Sequence, residues 1–159
     1  MPIHIRDVLS FSGRDYLVEG TVAYLLGGKR SLMARAVDGE ATAWFEFPDQ
    51  EAGPPADRLL VLREVRDLDL ALPPPESIDY HQRSYVQRLT ARAVIEIEGA
   101  VSDRAAGVRQ VWRYRAAGDR YLQIEEGNGR LFMMAGESVP RGMIDHLPSN
   151  TGNKTGNDN

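Results

Sequence analysis

Gly13-Arg14-Asp15-Tyr16-Leu17-Val18-Glu19-Gly20-Thr21-Val22-Ala23-Tyr24-Leu25-Leu26-Gly27-Gly28 is the stretch on which the fold reading turns. Tyr16, Val18, Val22, Tyr24 and Leu26 stand at alternate positions, the spacing of a strand with one buried face. Gly20 inside the run marks a bulge or a close approach of another backbone. Gly27-Gly28-Lys29-Arg30 closes the strand as a hairpin turn, since glycine accepts the positive φ that short hairpin turns require.

The same grammar continues outward. Leu32 to Val37 reads as a second strand, Asp38-Gly39 as a hairpin signal, and Ala41 to Phe47 as a third strand carrying Trp44 and Phe45. Asp49 to Asp57, with Pro54-Pro55, is a loop. Leu59 to Val65 is an unbroken apolar run, the mark of a strand buried on both faces. Leu68, Leu70 and Leu72 alternate with Asp67, Asp69 and Ala71, which predicts an edge-strand extension. Pro73-Pro74-Pro75 ends regular structure, because proline lacks the amide donor. Residues 73–87 are expected to be a proline-rich hinge, with a short helical turn between Glu76 and Gln87.

Beyond the hinge, Gln87 to Val101 alternates again, with Leu89, Ala91, Ala93, Ile95 and Ile97 on one side. Strands follow at Val108 to Ala116, Tyr121 to Glu125 and Leu131 to Ala135, separated by turns at 104–107, Ala117-Gly118-Asp119 and Glu126-Gly127-Asn128-Gly129. The two halves resemble each other. Glu19-Gly20-Thr21-Val22 recurs as Glu98-Gly99-Ala100-Val101, and at the same spacing Gly39 matches Gly118 and Glu46 matches Glu125. Arg35-Ala36 matches Arg115-Ala116 one place out of step. The expected fold is therefore mainly β with little helix. It is an antiparallel sandwich or barrel-like domain over residues 1–148, made of two similar meander halves at about 14–66 and 88–140. Ser149 to Asn159 holds nothing apolar to bury and is expected to be a disordered tail.

Bulk properties narrow the function. A chain of 159 residues has core enough for one domain. A net charge of −4 argues against nucleic acid as partner, because that affinity comes largely from neutralising phosphates. The sequence contains no cysteine, so thiolate metal sites, cysteine nucleophiles and disulfides are excluded, which fits the cytoplasm. Its N-terminus lacks the pattern of a signal peptide, and no apolar run approaches the roughly 20 residues of a membrane span.

Tyr16-Leu17-Val18-Glu19-Gly20-Thr21-Val22, Asp38-Gly39 and Trp44-Phe45-Glu46 resemble the first half of the bacterial family called domain of unknown function 4178. Val111-Trp112-Arg113-Tyr114, Arg120-Tyr121-Leu122-Gln123-Ile124-Glu125, Ala135-Gly136-Glu137-Ser138-Val139-Pro140 and the closing Ile144 to Pro148 resemble its second half more closely. Ala34-Arg35 departs from the aromatic-acidic pattern expected there. The resemblance covers residues 8–148. It implies no catalytic residue set, and it implies an accessory or adaptor role in a bacterial envelope-stress system by association alone.

Candidate chemistry is sparse. His4, His81 and His146 lack metal-ligand spacing, so no metal site is expected. His81 beside Asp79 could act as a general base, but neighbours in sequence seldom aim at one target. No serine-nucleophile elbow is present, and Gly27 to Ser31 lacks phosphate-loop spacing. Glu98 and Glu125, if their strands pair, would offer carboxylates to a cation or polyamine, with Tyr114 and Tyr121 beside them as ligand-binding residues. Trp44 and Trp112 read as core. No catalytic residue and no cofactor is expected. The favoured reading is a non-enzymatic binding or adaptor domain with a protein partner, membrane-associated partners included. The alternative is a small-ligand or cation/polyamine-binding domain between the halves, and an enzyme with an unrecognised site ranks last.

Overall fold

The computed structural model describes residues 3–47, 54, 57–101 and 104–149. Its strands are β1 (Val8–Phe11), β2 (Arg14–Leu26), β3 (Lys29–Asp38), β4 (Ala41–Phe47), β5 (Arg58–Glu64), β6 (Ser77–Tyr80), β7 (Arg83–Gly99), β8 (Gly107–Ala116), β9 (Arg120–Gly127), β10 (Arg130–Pro140) and β11 (Asp145–Leu147). They form one antiparallel sheet in the order β11-β1-β2-β3-β4-β5-β10-β9-β8-β7-β6. A further pairing, β2 with β7, closes the strands between them into an eight-stranded barrel. Closure removes the sheet edges that an open meander would expose. The all-β expectation holds, and of its two forms the barrel is the one adopted. The only helical turn among the described residues is a 3₁₀ turn at Arg141–Met143.

Two bulges decide which residues face inward. In β2 the pairing with β3 slips between Val18 and Gly20, and in β7 the pairing with β8 slips between Gln87 and Leu89. Tyr16 and Val18, before the bulge, lie in an outer cluster, whereas Val22 and Tyr24, after it, lie inside the barrel. One extra residue reverses the meaning of alternation. The run that read as one apolar face is therefore two faces in succession.

The barrel interior draws Val22, Met33, Trp44, Leu62, Ile95, Val111, Tyr121 and Met134 from its eight strands, with further residues between them. Two outer clusters flank it. Ile3, Leu9 and Tyr16 cover Ala34, Ala36, Phe45 and Val61 on one side. Ile78, Tyr85 and Val65 cover Trp112, Tyr114, Leu122 and Ile124 on the other. Both tryptophans are buried, Trp44 inside the barrel and Trp112 in the second outer cluster.

The two meanders share their register. β1 pairs with β2 as β6 pairs with β7, through turns whose residues Ser12-Gly13 and His81-Gln82 all have positive φ. Met33 faces Glu46 as Val111 faces Glu125, and Arg35 faces Trp44 as Arg113 faces Gln123. This register sets Arg35 against Arg113, not Arg115. Gly20 and Gly99 are not matching positions: they pair with each other where β2 meets β7. A Cβ on Gly99 would stand 2.5 Å from the Glu19 carbonyl, and one on Gly20 would run into Ala100, so the seam closes only on glycine.

Three local expectations change. Leu68, Leu70 and Leu72 form no strand; Leu68 and Leu70 instead pack against the outer cluster of Trp112. Residues 73–87 hold β6 and the start of β7 in place of a hinge with a helical turn. Ser149 is tied in, its amide donating to Asp7 Oδ1 at 2.8 Å, and the rest of the tail lies outside the described residues.

Candidate functional site

Alternation along β4, β8 and β9 carries charge into the barrel. Glu46 follows Trp44, Arg113 follows Val111, and Gln123 and Glu125 follow Tyr121, each on the inward face; all four polar residues are buried. Buried charges persist only when paired and hydrogen-bonded. Here they form one chain. Arg113 Nη2 donates to Glu46 Oε1 at 2.5 Å, and Arg113 Nε donates to Gln123 Oε1 at 3.0 Å. Gln123 Nε2 donates to Glu125 Oε2 at 2.7 Å, which also accepts from the Tyr24 hydroxyl at 2.5 Å. Arg104, from the β7–β8 connection, completes the chain by donating to Glu125 and, at 3.0 Å, to Tyr24. Two guanidinium groups balance two carboxylates.

Arg104 stops one mouth of the barrel. Its side chain is 4% exposed, and its guanidinium lies 4.2 Å from the Phe132 ring centroid and 5.4 Å from that of Trp44. Burial works against its charge, but Tyr24 and Glu125 outweigh burial and hold its pKa above the ordinary value. Burial, with Glu125 adding to it, pushes the Tyr24 hydroxyl well above its usual range, so it stays a proton donor. Outside Arg104 the mouth opens into a cavity of about 350 Å³ lined by Arg109, Arg130, Asn128 and Phe132 among others.

The four residues named from sequence do not converge. Glu125 sits in the interior chain, whereas Glu98 is exposed on the outer face of β7. β7 pairs with β2, β6 and β8 and never with β9, so the carboxylate pair has no shared site. Tyr114 is buried in an outer cluster, its hydroxyl donating to the Pro75 carbonyl at 2.7 Å. Tyr121 is inside the barrel, with Arg115 over its ring at 5.5 Å. The expected cation site is thereby corrected: Glu98 lies apart from Glu125, and Glu125 is already paired with Arg104. Tyr24, Glu46, Arg104 and Arg113 were missed. For Glu46 and Arg113 a signal existed, since each stands two places from an inward apolar residue on a strand.

Residues 5–141 match the family described as Domain of unknown function (DUF4178). The chain belongs to that family. No curated protein and no solved structure matches. In this DUF4178 member two of the three histidines lie against carboxylates. His146 Nε2 lies 2.7 Å from buried Asp7, and His81 Nε2 lies 3.0 Å from Asp67, not Asp79. Asp67 also accepts from the Tyr80 hydroxyl at 2.6 Å, so His81 and Tyr80 share one carboxylate at this exposed turn. No metal-ligating cluster occurs among the described residues. No helix among them is long and apolar enough to cross a membrane.

One stretch of the DUF4178 barrel wall keeps an open edge. On the side away from β8, β7 pairs with β6 up to Val86 and with β2 from Val94 onward. Gln87 is held by the Glu76 carbonyl at 2.8 Å. Between these anchors, residues 88–93 have no strand beside them among the described residues. Arg88 and Arg92 are exposed on this stretch, and Lys29 and Arg30 are exposed at the β2–β3 turn nearby. None of the four forms an ion pair among the described residues.

Proposed function

We propose that this chain is a non-enzymatic binding or adaptor domain that takes an extended, acidic segment of a protein partner along residues 88–93 of β7. The open edge carries the reading: an extended peptide gains main-chain hydrogen bonds there, and Arg88, Arg92, Lys29 and Arg30 favour carboxylate side chains. The interior supports it from the other side, because its carboxylates Glu46 and Glu125 and the Tyr24 hydroxyl are engaged with guanidinium and amide groups and leave no nucleophile beside a base. A cytoplasmic location and an accessory place in a bacterial envelope-stress system are part of the proposal. They rest on the cysteine-free sequence and the family resemblance.

The test is a pull-down from the native host, with and without membranes, followed by hydrogen exchange on the purified complex. Amides of residues 88–93 are expected to gain protection when the partner binds, and Arg88→Glu with Arg92→Glu is expected to abolish capture in a protein that still folds. Protection elsewhere with unchanged edge amides would overturn the edge. If the same charges only guard the edge against self-association, the double variant aggregates and no partner is lost.

A further inference from the structure

A groove of about 460 Å³ lies on the outside of the barrel, where the β6–β7 turn meets the end of β5, the start of β9 and the middle of β10. We propose that it binds a phosphoryl dianion, carried by inorganic phosphate or by a small phosphomonoester. Arg63, Arg83 and Arg120 line the groove, and none of the three forms an ion pair among the described residues. Arg63 is held by neutral oxygens, donating to the Thr42 carbonyl at 2.9 Å and to the Tyr16 hydroxyl at 3.3 Å. Arg83 donates to the Ala117 carbonyl at 3.4 Å. The half-buried side chain of Arg120 makes no hydrogen bond among the described residues. The carboxylates nearby are mostly engaged elsewhere. Glu64 is held by Arg66 at 2.7 Å, Asp67 by Tyr80 and His81, and Asp119 by Arg58 and Arg115. Glu137 faces Arg120 in the β9–β10 register without an ion pair. The groove therefore keeps positive charge in a chain that is acidic as a whole.

A second observation comes from Tyr85. It is 3% exposed, packs in the outer cluster of Trp112 and lines the groove. Its hydroxyl makes no hydrogen bond among the described residues, yet it is not sealed from solvent as the orphaned nitrogens of Arg35, Arg104 and Arg113 are. The surface that Tyr85 keeps opens on the groove. A buried tyrosine hydroxyl ordinarily finds a partner, and an oxyanion between the arginines would supply an acceptor. Small residues make the floor. A Cβ on Gly136 would run into the Val61 carbonyl, so only glycine lets β5 and β10 come together beneath the groove. Planar guanidinium forks and a hydroxyl offer donors to several oxygens of a tetrahedral group, which favours a phosphoryl dianion over a monocarboxylate. The groove exceeds a bare phosphate in size, so an organic substituent can lie along Val65 and Ala135.

The inference is independent of residues 88–93 of β7, none of which lines the groove. It is tested on the full chain by calorimetry with sodium phosphate, glycerol 3-phosphate and acetate at matched ionic strength. Saturable binding of phosphate or its ester is expected, with acetate weaker by about tenfold. Tighter binding of the ester than of free phosphate identifies the phosphomonoester as the source, and the reverse identifies the free ion. Tyr85→Phe removes a hydroxyl that bonds nothing within the protein, so the fold should be kept while affinity falls about tenfold. Arg83→Gln with Arg120→Gln should weaken binding by at least about tenfold. Ala135→Leu, which fills the groove without changing charge, should weaken it as well. In wild-type protein, phosphate should shift the Nε–H resonances of Arg63, Arg83 and Arg120, a readout that needs no variant. Non-saturable shifts, acetate bound as tightly as phosphate, or affinity unchanged both in Tyr85→Phe and in the double arginine variant would each overturn the proposal.

Discussion

Asp7 joins the two ends of the described chain. It is 1% exposed and accepts from the His4 amide at 2.9 Å, the Ser149 amide at 2.8 Å and His146 at 2.7 Å. Burial raises its pKa, but these hydrogen bonds, His146 foremost, outweigh burial and leave the carboxyl below its ordinary 3.8. A depressed carboxyl pKa stabilises the fold fully above the unfolded value, and that contribution disappears as pH falls through the lowered folded value. Asp7→Ala should therefore cost about 3 kcal/mol at neutral pH, a hydrogen-bonded charge being the group lost. In urea titrations the gap from wild type should narrow below about pH 4; a gap constant with pH would show that Asp7 acts as a neutral spacer. Trp44→Ala should cost roughly 3–5 kcal/mol, the range for a large buried aromatic, and a wild-type melting temperature would refute its interior place. Trp44 was legible as core because an aromatic in an alternating strand has few other uses. Arg104 was not, since it lies in a connection, where a charged residue ordinarily faces water.

At the scale of elements, the long strands were legible and the short ones were not. β2, β3, β4, β8 and β9 were visible as period-two runs between glycine turns, whereas β1, β6 and β11 have three or four residues each, too few to show a period. Bulges were the larger obstacle. Glu19 and Arg88 each add one residue to a strand, and alternation counted through them assigns one side of the bulge to the wrong face. The Glu98–Glu125 site failed for a related reason: it needed β7 beside β9, and β8 lies between them. The seam offers a direct test. Gly99 has φ of 75° and faces the Glu19 carbonyl, so Gly99→Ala combines backbone strain with a steric clash. A loss of at least roughly 1–3 kcal/mol is expected in chemical denaturation. A variant as stable as wild type would mean that β2 and β7 can part there without loss.

For the molecule as a whole, the barrel is two meanders that each leave two edges for the other. β2 and β5 bound the first, β7 and β10 the second, and the barrel closes through β2–β7 and β5–β10. The second seam is further tied by Arg58, whose Nε donates to Ser138 Oγ at 2.7 Å and whose Nη2 donates to the Ser138 carbonyl at 2.8 Å. The interior cluster takes residues from both halves, including Trp44 and Leu62 from one and Val111 and Tyr121 from the other, and so does the ion chain from Glu46 to Arg113. Neither half can bury its inward face alone, and each alone would leave charged groups unpaired in a low-dielectric wall. Cutting between Leu72 and Pro73 falls in a segment without strands, so the break itself removes no sheet pairing. Residues 1–72 and 73–149 produced separately should therefore be unfolded or aggregated, and produced together they should form a one-to-one complex with the β-rich circular dichroism of the intact chain. A first half that alone unfolds cooperatively as a monomer would show two domains where the shared core requires one. Failure of the co-produced halves to associate would show that the covalent link, more than the two seams, holds the barrel closed.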